Sequence, residues 1–198
     1  MPFNIESFRS QGLLKGGTRP SLFQVQLTTP PALDISNEAE RRFTFTCEAA
    51  SSPPLELGEV QVYHFGRPIK FHGDRTYPDW QVQVMNDEDF VVRAMFEKWN
   101  HSLNAAISNY RVADLENEND YKAILDVTQY GKNGDKIRAY QFVGAWAKIV
   151  GPMELSWESQ NQIQKFGVVF SYDYWIPLFD GAATDTYQPI NNGDVNLS

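Results

Sequence analysis

The stretch from Gly66 to Trp99, GRPIKFHGDRTYPDWQVQVMNDEDFVVRAMFEKW, constrains the fold more than any other part of the chain. It predicts strand, turn, strand and helix in that order. Gly66-Arg67-Pro68 and Gly73-Asp74 have turn chemistry, and between them Ile69 and Phe71 alternate with polar residues. From Trp80 to Met85, Trp80, Val82 and Val84 fall on one face and Gln81 and Gln83 on the other, the pattern of a half-buried strand. At Asn86 the period changes. Val92, Met95, Phe96, Trp99 and Leu103 recur at helical spacing, so this stripe must cover something apolar, and the first four are the expected core of a flanking helix. Asn86 is placed to cap it, Met85 and Phe90 to staple it, and Asp87, Glu88 and Asp89 to sit at the positive end of its dipole.

Around this stretch the chain reads as short strands. Leu22 to Thr28 puts Phe23, Val25 and Leu27 on one face, the polar segment after Pro30-Pro31 reads as a loop to Arg42, and Phe43, Phe45 and Cys47 alternate as a second strand. Glu48 to Gly58 is a turn-rich loop carrying Leu55 and Leu57. Glu59 to Phe65 is a strand whose inner face is either Val60 and Val62 or Tyr63 and Phe65. Tyr121 to Tyr130 and Lys136 to Val143 flank Gly131-Lys132-Asn133-Gly134-Asp135, a strong hairpin signal. Trp146 to Val150, Met153 to Trp157 and Phe166 to Trp175 complete the set, and the tail from Pro177 reads as irregular. Many strands with one good helix imply a mainly β fold: two packed antiparallel sheets, or a barrel, with a flanking α-helix.

A length of 198 residues suits one domain spanning 1–198, although two are within range. Residues 1 to 20 scatter Phe3, Ile5, Phe8, Leu13 and Leu14 among polar residues and read as an N-terminal arm, either a loose terminus or, because burial of large apolar side chains is favourable, one docked within the chain or on another subunit; 177 to 198 read as a C-terminal arm. No run of 18 apolar residues predicts a membrane span, and the start lacks the order of a signal peptide, so synthesis in the cytoplasm is expected. A single cysteine, Cys47, excludes an internal disulfide, and its alternation with apolar residues predicts a buried thiol.

No catalytic signature emerges: there is no nucleophile elbow, phosphate loop, dinucleotide fingerprint or HExxH. His64, His72 and His101 match no zinc spacing, and the acidic run at 87–89 is accounted for by the helix start. Arg67 with Asp74-Arg75 reads equally as an anion site or as interface ion pairs. The net charge of −8, without a Lys/Arg cluster, implies that any relation to nucleic acid is one of non-adhesion.

An ordered set of motifs nevertheless resembles the tail tube proteins of contractile-tailed bacteriophages over roughly Arg19 to Trp175. The set runs Arg19-Pro20-Ser21-Leu22-Phe23-Gln24-Val25, Cys47-Glu48-Ala49-Ala50 into Pro53, Gly66-Arg67-Pro68-Ile69-Lys70-Phe71, Gly73-Asp74-Arg75-Thr76-Tyr77 and Trp80. It continues through Asn86-Asp87-Glu88-Asp89-Phe90, Arg93, Phe96 and Trp99, then Tyr140-Gln141-Phe142-Val143-Gly144-Ala145-Trp146, and ends on Phe170 to Trp175. One departure is Ala147, where the family tends to have proline after the aromatic. The resemblance implies a non-enzymatic structural subunit of the virion tail, without cofactor or metal. Such subunits form six-membered rings that stack into a hollow tube inside a sheath, with a tape-measure protein and a baseplate or tube initiator as partners and double-stranded DNA passing through. Expected subunit contacts are Phe3, Phe8, Leu13, Pro53, Pro54, Leu55, Arg67, Asp74 and Arg75. Alternatives are a tube initiator, the tube of a contractile injection or type VI secretion-like system and, outside this class, a small-ligand-binding β-barrel or an enzyme.

Overall fold

The structure, a computed structural model, describes residues 17–111 and 115–178. In chain order the elements are β1 (Phe23–Thr28), a 3-10 turn (Pro31–Leu33), α1 (Asn37–Thr46), β2 (Cys47–Ala50), β3 (Glu56–His64), β4 (Arg67–Thr76) and β5 (Trp80–Met85). Next come α2 (Val91–Leu103), a 3-10 turn (Glu118–Asp120), β6 (Ala123–Tyr130), β7 (Lys136–Val150), β8 (Lys165–Ser171) and β9 (Tyr174–Leu178).

All pairings are antiparallel, and they form two sheets that share one strand. β1, β6, the first part of β7 and β9 make one sheet; the second part of β7, β8, β5 and β2 make the other. β3 and β4 pair only with each other. The switch in β7 is at Gly144, whose φ of +71° is a left-handed conformation that side chains resist. A Cβ there would also lie 2.1 Å from an Asp173 carboxylate oxygen, so glycine is required. Beyond the switch, Ala147 is fully buried opposite Phe170, and a bulge follows between Ala147 and Ile149. The bend therefore needs no proline at this position.

The core lies where the two sheets and both helices meet. Trp80 stacks obliquely on Phe142 at 4.6 Å between ring centres, while Phe43 of α1 and Phe96 of α2 both approach Phe170 of β8 edge-on, at 6.5 and 5.8 Å. Val92, Met95, Phe96 and Trp99 are all buried on one stripe of α2. The two indoles keep their polar ends satisfied: Trp80 Nε1 donates to the Ser51 carbonyl at 2.8 Å and Trp99 Nε1 to the Tyr121 carbonyl at 3.1 Å.

Several sequence expectations are corrected. Phe43 and Phe45 belong to a helix, so two helices flank the sheets among the described residues. Ser36 caps α1 by accepting from the Ala39 amide, Ala39 and Phe43 are buried one turn apart, and Phe45 points outward with 73% exposure. Asn86 does not cap α2; its amide group donates to Gln164. Asp87 supplies the cap by accepting from Val91 N at 3.2 Å, and Phe90, left-handed at φ 56° and exposed, does not staple. Gly73-Asp74 lies inside β4 rather than at a turn, Met153–Trp157 forms no strand, and Phe166–Trp175 is two strands parted at Tyr172-Asp173. Lys136 to Val150 is one strand and not two, and Pro177 and Leu178 end β9 rather than begin an arm.

Candidate assembly surfaces

The β3–β4 hairpin stands apart from both sheets. Its turn is Phe65-Gly66, both left-handed at φ 45° and 80°, which suits the right-handed twist of the flanking strands. Register pairs Val60 with Phe71 and Val62 with Ile69 on one face, and Glu59 with His72 and Gln61 with Lys70 on the other. The second face is polar: Lys70 Nζ pairs with Glu59 at 3.0 Å, and Gln61 donates to the same carboxylate at 2.6 Å. The first face is apolar and uncovered. Val60, Val62, Ile69 and Phe71 are 47–55% exposed, and Phe65 at the tip is 94% exposed. Near the base, Gly58 and Gly73 pack backbone to backbone; a Cβ on Gly73 would lie 3.0 Å from the Gly58 carbonyl carbon, where the register shifts. That close approach is the reason for glycine at 73.

The expected contact residues fall in different places. Phe3, Phe8 and Leu13 lie outside the described residues. Pro53 is buried within the subunit and offers no contact surface; Pro54 is half-buried with its carbonyl accepting from Trp175 Nε1 at 3.1 Å; Leu55 is 56% exposed. Arg67 begins β4 beside the tip, whereas Asp74 and Arg75 sit near its base, exposed. At a strand rise of about 3.3 Å per residue, Arg67 and Asp74 are roughly 23 Å apart, too far to share one anion.

A second exposed apolar group follows β7. In the segment between Gly151 and Lys165, Leu155, Trp157 and Ile163 are exposed and rim an open groove of about 1090 Å³ over Met85 and Gln83. Sequence reasoning missed this surface because it took Met153 to Trp157 for a strand.

The charged side chains chiefly tie elements together. Arg42 of α1 bonds Glu38, Asp87 and Asp89 at 2.8, 2.8 and 3.2 Å, joining the two helix starts and accounting for two members of the acidic run. Lys122 holds Glu118 and Asp173, which raise its pKa to about 12. Burial pushes the Cys47 thiol up to about 12 as well. Among the described residues no group of three or more His, Cys, Asp or Glu comes together to hold a metal, and no helix is long and apolar enough to cross a membrane.

The sheet β1-β6-β7-β9 ends in β1 and β9, each of which has one strand partner among the described residues. Its inner side carries Val25, Leu27, Leu125 and Phe142, all in the core. Its outer side carries rows that run across the strands: Gln24 faces Thr128, and Gln26 faces Asp126, which faces Gln141.

The subunit thus leaves open the edges of β1 and β9, each with one strand partner among the described residues, and the apolar face of the β3–β4 hairpin. The profile of the family described as phage tail tube protein matches residues 18–178. The tail tube protein gp19 of Enterobacteria phage T4 is 34% identical over 158 residues, covering 79% of this chain and 90% of that protein. The tail tube protein of Serratia phage KSP90 is 23% identical over 136 residues, covering 69% and 75%. Among solved structures, a chain of the PVC extracellular contractile injection system, sheath/tube terminator in the extended state, superposes with a TM-score of 0.60 at 10% identity, over 84% of this chain and 99% of that one. A chain of the anti-feeding prophage baseplate gives 0.58 at 12% identity, over 83% and 97%. At such identities these two likenesses speak to the fold alone. The sequence match over most of the chain decides the matter: this chain belongs to the phage tail tube protein family and is a structural component of the virion tail.

Proposed function

We propose that this chain is the repeating subunit of a tail tube, forming six-membered rings that stack into a hollow conduit for genomic DNA inside a contractile sheath. The observation that carries this reading is the β3–β4 hairpin. A lone two-stranded hairpin is marginal in water, yet this one presents Val60, Val62, Ile69 and Phe71 half-exposed on a single face. Burying that face against another copy supplies the third layer it lacks. The free edges of β1 and β9 offer a lateral route between neighbours in a ring, since unpaired strand edges template pairing with another chain.

Leu55, Arg67, Asp74 and Arg75 belong to the same contact, with Pro54 at its margin. The N-terminal arm, through Phe3, Phe8 and Leu13, bridges rings. A tape-measure protein inside the tube and a baseplate or initiator beneath it complete the set of partners. The subunit acts by assembly and not by catalysis, and takes no cofactor.

Negative-stain microscopy of the purified full chain tests this directly. Rings or tubes are expected; a dispersed monomer at every protein concentration tried refutes the reading.

A further inference from the structure

The groove bounded by residues 152–164 is open and carries an anchor. Trp157 at its rim is fully exposed, and Leu155 and Ile163 beside it are 84% and 63% exposed. The floor is the outer side of β5 and β8, from Met85 and Gln83 to Gly167, where glycine raises no side chain into the space. Residues 152–164 include two charges, Glu154 and Glu158, and no Lys or Arg. The remaining charges, Glu48 and Lys165, pair with each other at 2.6 Å. The groove is therefore apolar at its rim and net negative. A tryptophan flanked by aliphatic side chains is the composition of an interface core rather than of a solvated face.

Three parts of this chain compete to fill it. Residues 179–198 carry Asp180, Asp185 and Asp194 and no Lys or Arg, so Glu154 and Glu158 repel them. The tip of the β3–β4 hairpin brings one large apolar side chain, Phe65, to a rim that has three. Residues 1–16 bring Phe3, Ile5, Phe8, Leu13 and Leu14, and their charges, Glu6, Arg9 and Lys15, sum to +1. This arm matches the groove in both apolar content and sign.

Which copy supplies the arm follows from where the chain enters the fold. The Leu22 carbonyl accepts from the Tyr130 amide and Phe23 pairs with Gln129, so the entry lies beside the β6–β7 turn. The groove lies past the other end of β7, where the Gly151 amide donates to the Gly167 carbonyl. From Arg138, opposite Gln129, to Val150 the strand runs about 40 Å at about 3.3 Å per residue. An arm following its own body that far would spend roughly twelve of its residues on the way. Arm and groove are unlike ends of one molecule, and a contact between unlike ends repeats from copy to copy without closing, as stacking requires.

We infer that residues 1–16 of one subunit bind in the groove between residues 152–164 and the outer side of β5 and β8 on a subunit of the next ring, with Trp157 as the anchor. This rests on the tube reading above and supplies the receptor for the arm.

The test assembles tubes from a mixture of two full-length variants, Phe8→Cys and Leu155→Cys, and treats them with a short bismaleimide. Cys47 is buried and takes no part. A dimer joining the two variants is expected in mixed tubes, and no link in dispersed subunits. Intact tubes without that dimer overturn the assignment and leave the tube reading standing. So does an intrachain link in the dispersed Phe8→Cys, Leu155→Cys double variant, which gives the groove to the subunit's own arm, or a dimer already present in unstacked rings, which puts the contact inside one ring. A stronger link from Leu155→Cys to Phe65→Cys gives the groove to the hairpin and overturns the assignment too. A wild-type chain that never assembles removes both readings. A second arm compares the protein concentration needed for tube growth in Trp157→Ser, in the Phe3→Ser, Phe8→Ser double variant and in the triple variant. Trp157 is fully exposed, so its loss should leave subunit melting unchanged. Each change is expected to raise that concentration about tenfold or more, and the triple variant no further, because partners in one contact are not additive. Effects that multiply would place the arm and Trp157 in separate contacts and overturn the pairing. Where a variant forms no tubes at all, the cross-link decides.

Discussion

The β5–α2 region and the β3–β4 hairpin are adjacent in sequence and made of the same kinds of residue, yet they end in opposite environments. Trp80, Val82, Val84, Phe96 and Trp99 are all but inaccessible, while Val60, Val62, Ile69 and Phe71 are about half-exposed. In both stretches apolar residues recur at the spacing of their element. What separates them is the company each strand keeps: β5 lies between β2 and β8 beneath two helices, and β4 has only β3. Burial in the first region stabilises the subunit. On the proposed assembly, the corresponding gain in the hairpin is deferred until a second copy arrives.

Substitutions should separate the two regions cleanly. Trp99→Ala, which empties a fully buried site and frees the Tyr121 carbonyl, is expected to cost about 3–5 kcal/mol, read from denaturant or thermal unfolding of the subunit. An unchanged melting curve would erase the contrast. Gly144→Ala, strained by its positive φ and colliding with Asp173, is expected to cost about 1–3 kcal/mol in the same measurement. Val62→Asp should move subunit stability by only about 0.5 kcal/mol yet abolish tubes in negative stain. If it unfolds the subunit instead, the hairpin belongs to the folding core.

The smallest effect concerns Asp126. Its carboxyl pKa is raised, chiefly by burial, so the folded state holds the proton more tightly than the unfolded chain does. Its contribution is therefore most favourable at pH below the unfolded value and is lost as pH rises through the folded one. Asp126→Asn is expected to raise stability at neutral pH by about 0.5 kcal/mol or less, with the gain vanishing in acid. Unfolding curves at the two pH values check it, and a larger gain in acid than at neutrality would reverse the assignment.

Elements whose alternation and turn chemistry agree were legible from sequence. β5 spans Trp80–Met85 as its pattern predicts, and the β6–β7 turn is at Gly131 to Asp135, with Gly134 at φ 83°. α1 was hidden because Phe43, Phe45 and Cys47 are only three alternating residues, too few to outweigh a helix; the informative signals were the Ser36 cap, the Ala39 and Phe43 pair and the i,i+4 Glu38–Arg42 ion pair. The strand break at Gly144 was illusory for a different reason. A glycine in a strand can end it or turn it, and only the two sets of partners along β7 reveal which. The hairpin's apolar face posed a further problem: periodicity identifies a strand with two unlike sides but says nothing about what covers either. The rows on the sheet's outer side were invisible for the same reason, since Gln26, Asp126, Gln141 and Ile176 become neighbours only through register.

The strand Lys136–Val150 belongs to both sheets without interruption. A load applied to one sheet is therefore borne along a covalent backbone into the other, and sliding one past the other would require breaking ladder bonds on both sides of Gly144 at once. Mechanically the two sheets are joined into a single body through this shared strand.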